Sequence, residues 1–231
     1  MNLLIVAALE NELDVLKREL HATPAGRTAG CAYYKSCSDG NPIYVSPIGV
    51  GIVSAGLALG ALIQKLHCDR IVLTGSAGAF PESGLCPGDV AVASTEILAE
   101  LGVCRETGPA GTGALAFPGL DREIPLDKEV SRDLTESARE IGKAEQGPFL
   151  TVVGVSGNSR VAEARYQIFS ALAENMEGYA VARAGTIFHV RVGEIRGISN
   201  TAGSRDKSSW KLGPANEIAQ KALLNYIRKM R

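Results

Sequence analysis

With 231 residues, of which 45% are hydrophobic, the chain is long enough to bury one sizeable core. A net charge of −1 without any run of like charges argues against a nucleic-acid-binding protein, and five cysteines with no CxxC pair, beside only three histidines, argue against a structural zinc site. No apolar run approaches the roughly 18 residues of a membrane span, and the N-terminus lacks the basic region of a signal peptide, so we expect a single cytoplasmic domain over residues 1–231.

Short apolar runs alternate with helical patterns along the chain. Strands are predicted over residues 3–8, 43–47, 70–74, 89–94, 149–155 and 187–199. A first helix is predicted over residues 9–20, where leucines recur at helical spacing. Further helices are predicted over residues 52–66, 127–141, 162–172, 178–184 and 214–226. Residues 105–125, rich in glycine and proline, are expected to form a long surface loop. This alternation predicts an α/β fold whose mostly parallel or mixed sheet is covered by helices on both faces.

Two glycine-containing turns are candidates for contacting a ligand. The Gly-Val-Gly turn at 49–51 is no dinucleotide-binding motif, because Ser54 occupies the place of the third glycine. The Gly-Ser-Ala-Gly segment at 75–78 follows a buried strand and therefore lies at a carboxyl end, where ligands of open α/β sheets bind. Its N–H groups are as consistent with a simple turn as with a sugar or anion site.

Two acids have ambiguous positions. Glu12 lies roughly 70° from the centre of the leucine stripe, at the margin of the buried face, although favourable placement at a helix N-terminus also explains it. Glu177 lies between apolar segments, where a buried carboxylate needs partners such as ribose hydroxyls.

A strand also ends in the segment Arg-Gly-Ile-Ser-Asn, residues 196–200, which is equally consistent with an asparagine-favoured turn. Trp210 is as consistent with packing as with base stacking. A serine hydrolase is excluded, because no G-x-S-x-G motif exists and the three histidines have no recognisable context.

Taken in order, three sets of motifs resemble the nucleoside phosphorylase/nucleosidase superfamily over nearly the whole chain. They are Ala-Ala-Leu-Glu-Asn-Glu at 7–12, Thr-Gly-Ser-Ala-Gly at 74–78 with Pro-Gly-Asp-Val at 87–90, and Asn-Met-Glu-Gly at 175–178 with the segment 196–200. The chain looks most similar to the methylthioadenosine/adenosylhomocysteine nucleosidases. The resemblance implies a three-layer α/β/α nucleoside phosphorylase-like fold with a mixed central sheet, and a homodimer or larger homo-oligomer.

The resemblance also implies roles for individual residues. Glu12 matches the acid that activates the attacking water, with no metal or organic cofactor. The remaining matched positions would contact a nucleoside: Met176 and Glu177 at the ribose, Ser76 and Gly78 beneath the sugar, and Val155 and Ser156 beside the base.

Two departures from the family pattern narrow the substrate. Thr74 replaces the arginine with which phosphorylases of this fold hold phosphate, and Glu12 would repel phosphate, so water is the expected nucleophile. Asn200 replaces the aspartate of the adenine-specific enzymes. A 6-oxopurine presents acceptors at O6 and N7, to which an asparagine amide can donate and an ionised aspartate cannot.

A nucleosidase scaffold, water and a 6-oxopurine together resemble the futalosine hydrolases, which release hypoxanthine from futalosine in menaquinone biosynthesis. The alternatives are a methylthioadenosine/adenosylhomocysteine nucleosidase, an inosine-like nucleoside hydrolase, or a nucleoside-binding protein without turnover. We further expect Arg205 or Lys207 to receive the substrate's carboxylate, although a solvated loop charge or an ion pair with Asp206 explains them equally well.

Overall fold

The computed structural model describes residues 2–38, 40–104, 112–113, 119 and 121–230. The described strands are β1 Leu3–Ala7, β2 Thr23–Thr28, β3 Cys31–Ser38, β4 Asn41–Pro47, β5 Arg70–Ala79, β6 Val90–Leu98, β7 Val103–Cys104, β8 Thr112–Gly113, β9 Glu123–Pro125, β10 Ala144–Thr151, β11 Ala173–Asn175 and β12 Arg191–Thr201. The described α-helices are α1 Asp14–Glu19, α2 Ile52–Leu66, α3 Lys128–Arg139, α4 Ser159–Phe169, α5 Gly178–Phe188 and α6 Leu212–Lys229.

The central sheet is mixed. Its strand order is β11-β10-β6-β12-β5-β1-β4-β3-β2, with β9 added antiparallel to β6. Four neighbouring strands of this sheet run parallel to one another: β4, β1, β5 and β12. The next pair, β12 and β6, is antiparallel. Because β11 also pairs with the end of β5, five strands (β5, β12, β6, β10 and β11) close into a ring.

Helices cover both faces of the sheet, as the alternating pattern predicts. On one face, α2 and α5 bury residues such as Leu59 and Val181 in one apolar cluster. On the other face, α1, α3 and α6 contribute Leu16, Leu134 and Leu223 to a second cluster. The predicted three-layer α/β fold is therefore confirmed. In the described part of the chain, no helix is long and apolar enough to cross a membrane.

Several predicted boundaries were wrong, and tertiary pairing explains the largest error. Residues 75–78 are not a turn, because β5 continues to Ala79 with β12 on one side and β11 on the other. For the same reason β12 continues through Thr201 instead of ending before Asn200. The strand predicted over 149–155 begins earlier and ends at Thr151.

Other differences have local causes. Helix α4 begins three residues early because the Asn158 side chain accepts a hydrogen bond from the N–H of Val161 and caps it. Residues 187–188 belong to α5 and not to the following strand. The polar hairpin β2–β3 was not predicted at all. Most of the predicted loop 105–125 lies outside the described residues, although residues 112–113 and 123–125 form short strands.

Candidate active site

A cavity of about 340 Å³ opens at the carboxyl ends of β5, β11 and β12. This is the edge at which α/β sheets bind ligands. Of the residues predicted from sequence to act on or contact a substrate, Lys207 does not line this cavity, and the structure brings the others together there: Glu12, Ser76, Gly78, Val155, Ser156, Met176, Glu177, Asn200 and Arg205.

Glu12 is buried although it lies in the first helical turn of the chain. A short 3₁₀ helix, Glu10–Leu13, turns its side chain inward, and only 6% of the residue remains exposed. One carboxylate oxygen accepts from the N–H of Leu9 at 3.0 Å and the other from the N–H of Ser76 at 3.2 Å. These two bonds hold the carboxylate at the cavity wall, where a water molecule could be deprotonated.

Gly75 makes this approach feasible. A Cβ atom at Gly75 would lie 2.9 Å from an oxygen of Glu12 and 2.9 Å from Nη1 of Arg196. The residue also has a φ of +140°, which side chains rarely adopt. Glycine at this position therefore leaves room for the Glu12 carboxylate and the Arg196 guanidinium beside β5.

Arg196 is the buried cation of the site. Its Nε donates to Glu194 at 2.8 Å and its Nη2 to Glu177 at 3.3 Å. Burial lowers the pKa of Arg196, but attraction to Glu194, Glu177 and Glu12 more than offsets this effect, so its pKa lies above the ordinary value. The guanidinium is therefore a permanent positive charge that offsets part of the negative charge of these carboxylates.

A second carboxyl group lies behind this ion pair. Glu96 is fully buried, and desolvation together with the charge and hydrogen bond of Glu194 raises its pKa well above the usual value. The hydroxyl of Thr151 donates to Glu96 at 2.5 Å and the amide of Asn175 at 2.8 Å. Glu96 thus links the charge cluster to the segment that carries Glu177.

Glu177 lies immediately before α5 and is 4% exposed. One of its oxygens accepts from the N–H of Gly51 at 3.0 Å, so the glycine turn before α2 anchors it. The side-chain oxygen of Asn175 accepts from the N–H groups of Glu177 at 2.9 Å and Gly178 at 2.7 Å, at the start of α5. Met176, between them, lines the cavity.

Asn200 presents an amide whose orientation follows from its neighbours. Its Nδ2 donates at 3.0 Å to the carbonyl oxygen of Thr201, and a carbonyl oxygen can only accept. Its Oδ1 accepts from the hydroxyl of Ser199 at 2.7 Å. The second N–H of Nδ2 is left for a ligand in the cavity.

The opposite wall is held by a buried ion pair that the sequence did not single out. Glu174 accepts from the N–H and hydroxyl of Ser156, at 2.9 and 2.7 Å, and from Arg165 at 3.1 Å. The N–H of Ser156 is therefore already bonded within the protein. The main-chain contact that was predicted between this segment and a base cannot use that N–H. Val155 beside it is 41% exposed.

Arg205 lies at the mouth of the cavity and is exposed. Its guanidinium stacks over the ring of Trp210, 5.0 Å from the centroid. Asp206 accepts from the N–H and hydroxyl of Ser208 instead, so the ion pair with Arg205 that the sequence left open is not formed.

Sequence reasoning missed Arg196, Glu194 and Glu174 as components of the site. The signal for the first two was present, because charges two residues apart inside an otherwise apolar strand point to the same face. Two buried opposite charges on one face indicate an internal ion pair. No local signal marks Glu174, whose strand β11 has only three residues.

Comparison with known proteins agrees with this fold. The model of the Phosphorylase superfamily matches residues 2–229, and the chain belongs to this superfamily. A futalosine hydrolase from Thermus thermophilus is 35% identical over 186 residues, which are 79% of this chain and 78% of that protein. A 5'-methylthioadenosine/S-adenosylhomocysteine nucleosidase from Colwellia psychrerythraea is 28% identical over 233 residues. This alignment covers 98% of this chain and 96% of that protein.

A solved structure of a futalosine hydrolase mutant from Helicobacter pylori superposes with a TM-score of 0.88 over 99% of both chains, at 20% identity. It shows the shared fold. Together with the sequence relatives, the superfamily membership confirms that the chain is an N-glycosyl hydrolase of the nucleosidase class.

Proposed function

We propose that the chain hydrolyses the N-ribosyl bond of a 6-oxopurine nucleoside, and that its substrate is futalosine, which yields dehypoxanthine futalosine and hypoxanthine. The observation that carries this proposal is the amide of Asn200, which lines the cavity and keeps one N–H available for an acceptor such as O6 or N7 of a base. The similarity to a futalosine hydrolase at 35% identity supports it.

In the proposed mechanism, the bond between ribose C1′ and the base nitrogen lengthens first. Its electron pair leaves with the base, and the ribose gains oxocarbenium character. Glu12 takes a proton from the water whose oxygen attacks C1′. Asn200 donates to the departing base, which ends with a proton on nitrogen. Overall, water supplies a hydroxyl to ribose and a proton to hypoxanthine.

Glu177 orients the ribose in this scheme. Each of its oxygens already has one protein partner, Gly51 or Arg196, and a carboxylate oxygen can accept a second hydrogen bond from a sugar hydroxyl. Because these partners fix the carboxylate before substrate arrives, much of the rate is expected from positioning and electrostatics.

The charges of the site favour water over phosphate as nucleophile. Thr74 is fully buried inside β5, away from the lining of the cavity. Arg196, which does line the cavity, is already paired with Glu194 and Glu177 and lies near Glu12. An incoming phosphate would therefore meet carboxylates around a neutralised cation.

A methylthioadenosine/adenosylhomocysteine nucleosidase is the second candidate, because a relative of that name aligns with 98% of the chain. An inosine-like hydrolase is a further alternative, whereas the non-catalytic nucleoside-binding protein left open by the sequence is set aside, because the relatives are nucleosidases. Against the binder, Glu12 is held at the cavity wall by two N–H donors, and a binding protein has no need of a water-activating base.

The test is to incubate the protein with futalosine, inosine or methylthioadenosine, with and without phosphate, and to analyse base and sugar products. We expect free hypoxanthine and the free sugar from futalosine at the same rate in both buffers. A sugar 1-phosphate would contradict the hydrolase mechanism, adenine released fastest would favour the second candidate, and no product from futalosine would contradict the proposed substrate.

We also propose that Arg205, not Lys207, receives the carboxylate of futalosine, because Arg205 lines the cavity mouth against Trp210. Arg205→Ala is expected to raise KM for futalosine at least tenfold without changing KM for inosine, which lacks that carboxylate. Lys207→Ala is the matched control and is expected to change neither. An equal KM for futalosine in wild type and Arg205→Ala contradicts the assignment.

A further inference from the structure

Gly78 occupies a gap between two polar side chains on neighbouring strands. In the sheet register, Gly78 of β5 pairs with Asn200 of β12 on one side and with Glu174 of β11 on the other. Residues directly paired across strands face the same side of a sheet. All three residues line the cavity.

A side chain at Gly78 would intrude beside Asn200 and the backbone of Ala202. A Cβ atom there would lie 3.2 Å from Nδ2 of Asn200, closer than ordinary packing allows. Gly78 thus lies, without a side chain of its own, between an amide donor on one neighbouring strand and a carboxylate on the other, and we call this place the slot. A flat ring resting over Gly78 would meet both.

Glu174 retains acceptor capacity for such a ring. A carboxylate offers about four acceptor positions. Three are occupied, by the N–H of Ser156 on one oxygen and by the hydroxyl of Ser156 and Arg165 on the other. The oxygen that accepts from the Ser156 N–H therefore has one position left.

The carboxylate is also a built feature of the site. Arg165 is 6% exposed and is bound by Glu174, Glu100 and the carbonyl oxygen of Gly154, at 3.1, 3.1 and 2.8 Å. Arg165 is not among the residues that line the cavity, so the cation lies behind the carboxylate. A ligand in the slot would meet the acceptor and not the cation.

We infer that Glu174 is a second base-reading residue, which accepts the N1–H of a 6-oxopurine while Asn200 donates to its O6 or N7. This inference rests on the proposed function. In a 6-oxopurine N1 carries a hydrogen next to O6, whereas in adenine N1 is a bare acceptor. Adenine would therefore oppose its N1 lone pair to the Glu174 carboxylate and leave both groups unpaired, which costs free energy in a buried site.

The test compares Glu174→Gln with Glu100→Gln on a matched pair of hypoxanthine and adenine nucleosides. Glutamine has nearly the same shape, but its amide can donate to N1 of adenine. The ratio of kcat/KM for hypoxanthine over adenine is expected to fall at least tenfold in Glu174→Gln, mainly through KM. Glu100→Gln removes the other carboxylate partner of Arg165 outside the cavity, and its ratio should stay within about twofold of wild type.

Calorimetric binding of free hypoxanthine and free adenine to the same three proteins separates this inference from the proposed function. A wild-type protein without hydrolase activity contradicts the function, and the base preference is then judged from binding alone. If Glu174→Gln keeps the wild-type preference for hypoxanthine over adenine, the inference is overturned. An equal change of this preference in Glu174→Gln and Glu100→Gln also overturns it, because Glu174 would then only support residues 154–156.

Discussion

Glu12 and Glu10 occupy the same helical turn but have different surroundings. The carboxylate of Glu10 is exposed and binds Lys17 at 2.8 Å and Tyr34 at 2.5 Å, which lowers its pKa. The carboxylate of Glu12 faces the cavity and accepts only main-chain N–H groups. One acid therefore belongs to the surface and the other to the site.

Glu12→Gln is expected to bind nucleoside with little change and to lose most turnover. Glutamine is nearly isosteric but cannot take the proton of water, and general base catalysis is typically worth about 10²–10⁴ in rate. Glu10→Gln is the matched control and is expected to keep kcat within about twofold. Steady-state kinetics decide the question: a decrease in kcat of less than about tenfold in Glu12→Gln would show that another group activates water.

Asn200→Asp is expected to lower kcat/KM for a hypoxanthine nucleoside by about one to three orders of magnitude, each tenfold being about 1.4 kcal/mol. The aspartate would lose the donor to the base and would place a carboxylate oxygen next to the Thr201 carbonyl oxygen, which now accepts from Nδ2. Activity on the adenine counterpart should fall less or rise. If both activities change equally, Asn200 does not read the base.

The sequence could indicate which residues meet at the cavity but not how they are held. The partner of Glu12 on β5, the N–H of Ser76, is 64 residues away, and that of Glu177 at Gly51 is 126 residues away. Helical spacing could only place Glu12 at the margin of the buried face. Its burial follows from the 3₁₀ turn and the approach of β5, which no local pattern encodes.

At the scale of elements, intrinsic patterns predicted the helices better than the strands. The bounds of α2 agree with the structure, because its apolar residues recur at helical spacing and Gly51 precedes it. The end of β5 was wrong, since glycines within residues 75–78 resemble a turn until two neighbouring strands pair with them. Strand β2 has few apolar residues, and hairpin β2–β3 gave no periodic signal.

Helix α3 offers a test of capping, which the sequence predicted. Asp127 accepts from the N–H of Val130 at 3.0 Å and forms two hydrogen bonds with Arg191, at 2.7 and 2.9 Å. The hydrogen bond from Arg191 lowers the pKa of Asp127 from 3.8 to about 2. Asp127→Ala is expected to reduce the free energy of unfolding by about 1–3 kcal/mol, through the lost cap and ion pair.

Asp127→Asn separates these two contributions, because asparagine also caps helices but carries no charge. Since the folded pKa is depressed, the ion pair stabilises the wild type fully above the unfolded pKa of 3.8, and this part is lost as pH falls toward 2. Urea unfolding at several pH values should therefore show an advantage of up to about 1 kcal/mol over Asp127→Asn at pH 7 that vanishes near pH 2. A difference that does not vary with pH would contradict the account.

At the scale of the whole molecule, α2 and α5 present an exposed apolar face. Val53, Leu57 and Ile187 are 70, 72 and 57% exposed, and the first charged residue of α2 is Lys65. An apolar face of this kind on a helical layer is typical of a protein interface. We propose that a second copy of the chain covers it, because the face can pair with itself across a two-fold axis.

The double variant Val53→Glu/Leu57→Glu is expected to be monomeric, because two copies would bring like charges together in the interface. Ile141→Glu is the control, since it makes the same change at a residue that is 41% exposed at the end of α3, on the other face. Sedimentation velocity should report a dimer or larger assembly for wild type and control. A wild type that sediments as a monomer at micromolar concentration contradicts the proposal.

The most direct test of the proposed function is the ratio of kcat/KM for futalosine over methylthioadenosine with wild-type protein in phosphate-free buffer. Both substrates are purine nucleosides, but only futalosine offers the O6 acceptor and N1–H that Asn200 and Glu174 are proposed to read. The account predicts a ratio of at least about 30, with hypoxanthine as the released base, because two mismatched buried groups cost about 1–3 kcal/mol each and about 1.4 kcal/mol corresponds to tenfold. A ratio below one would contradict it.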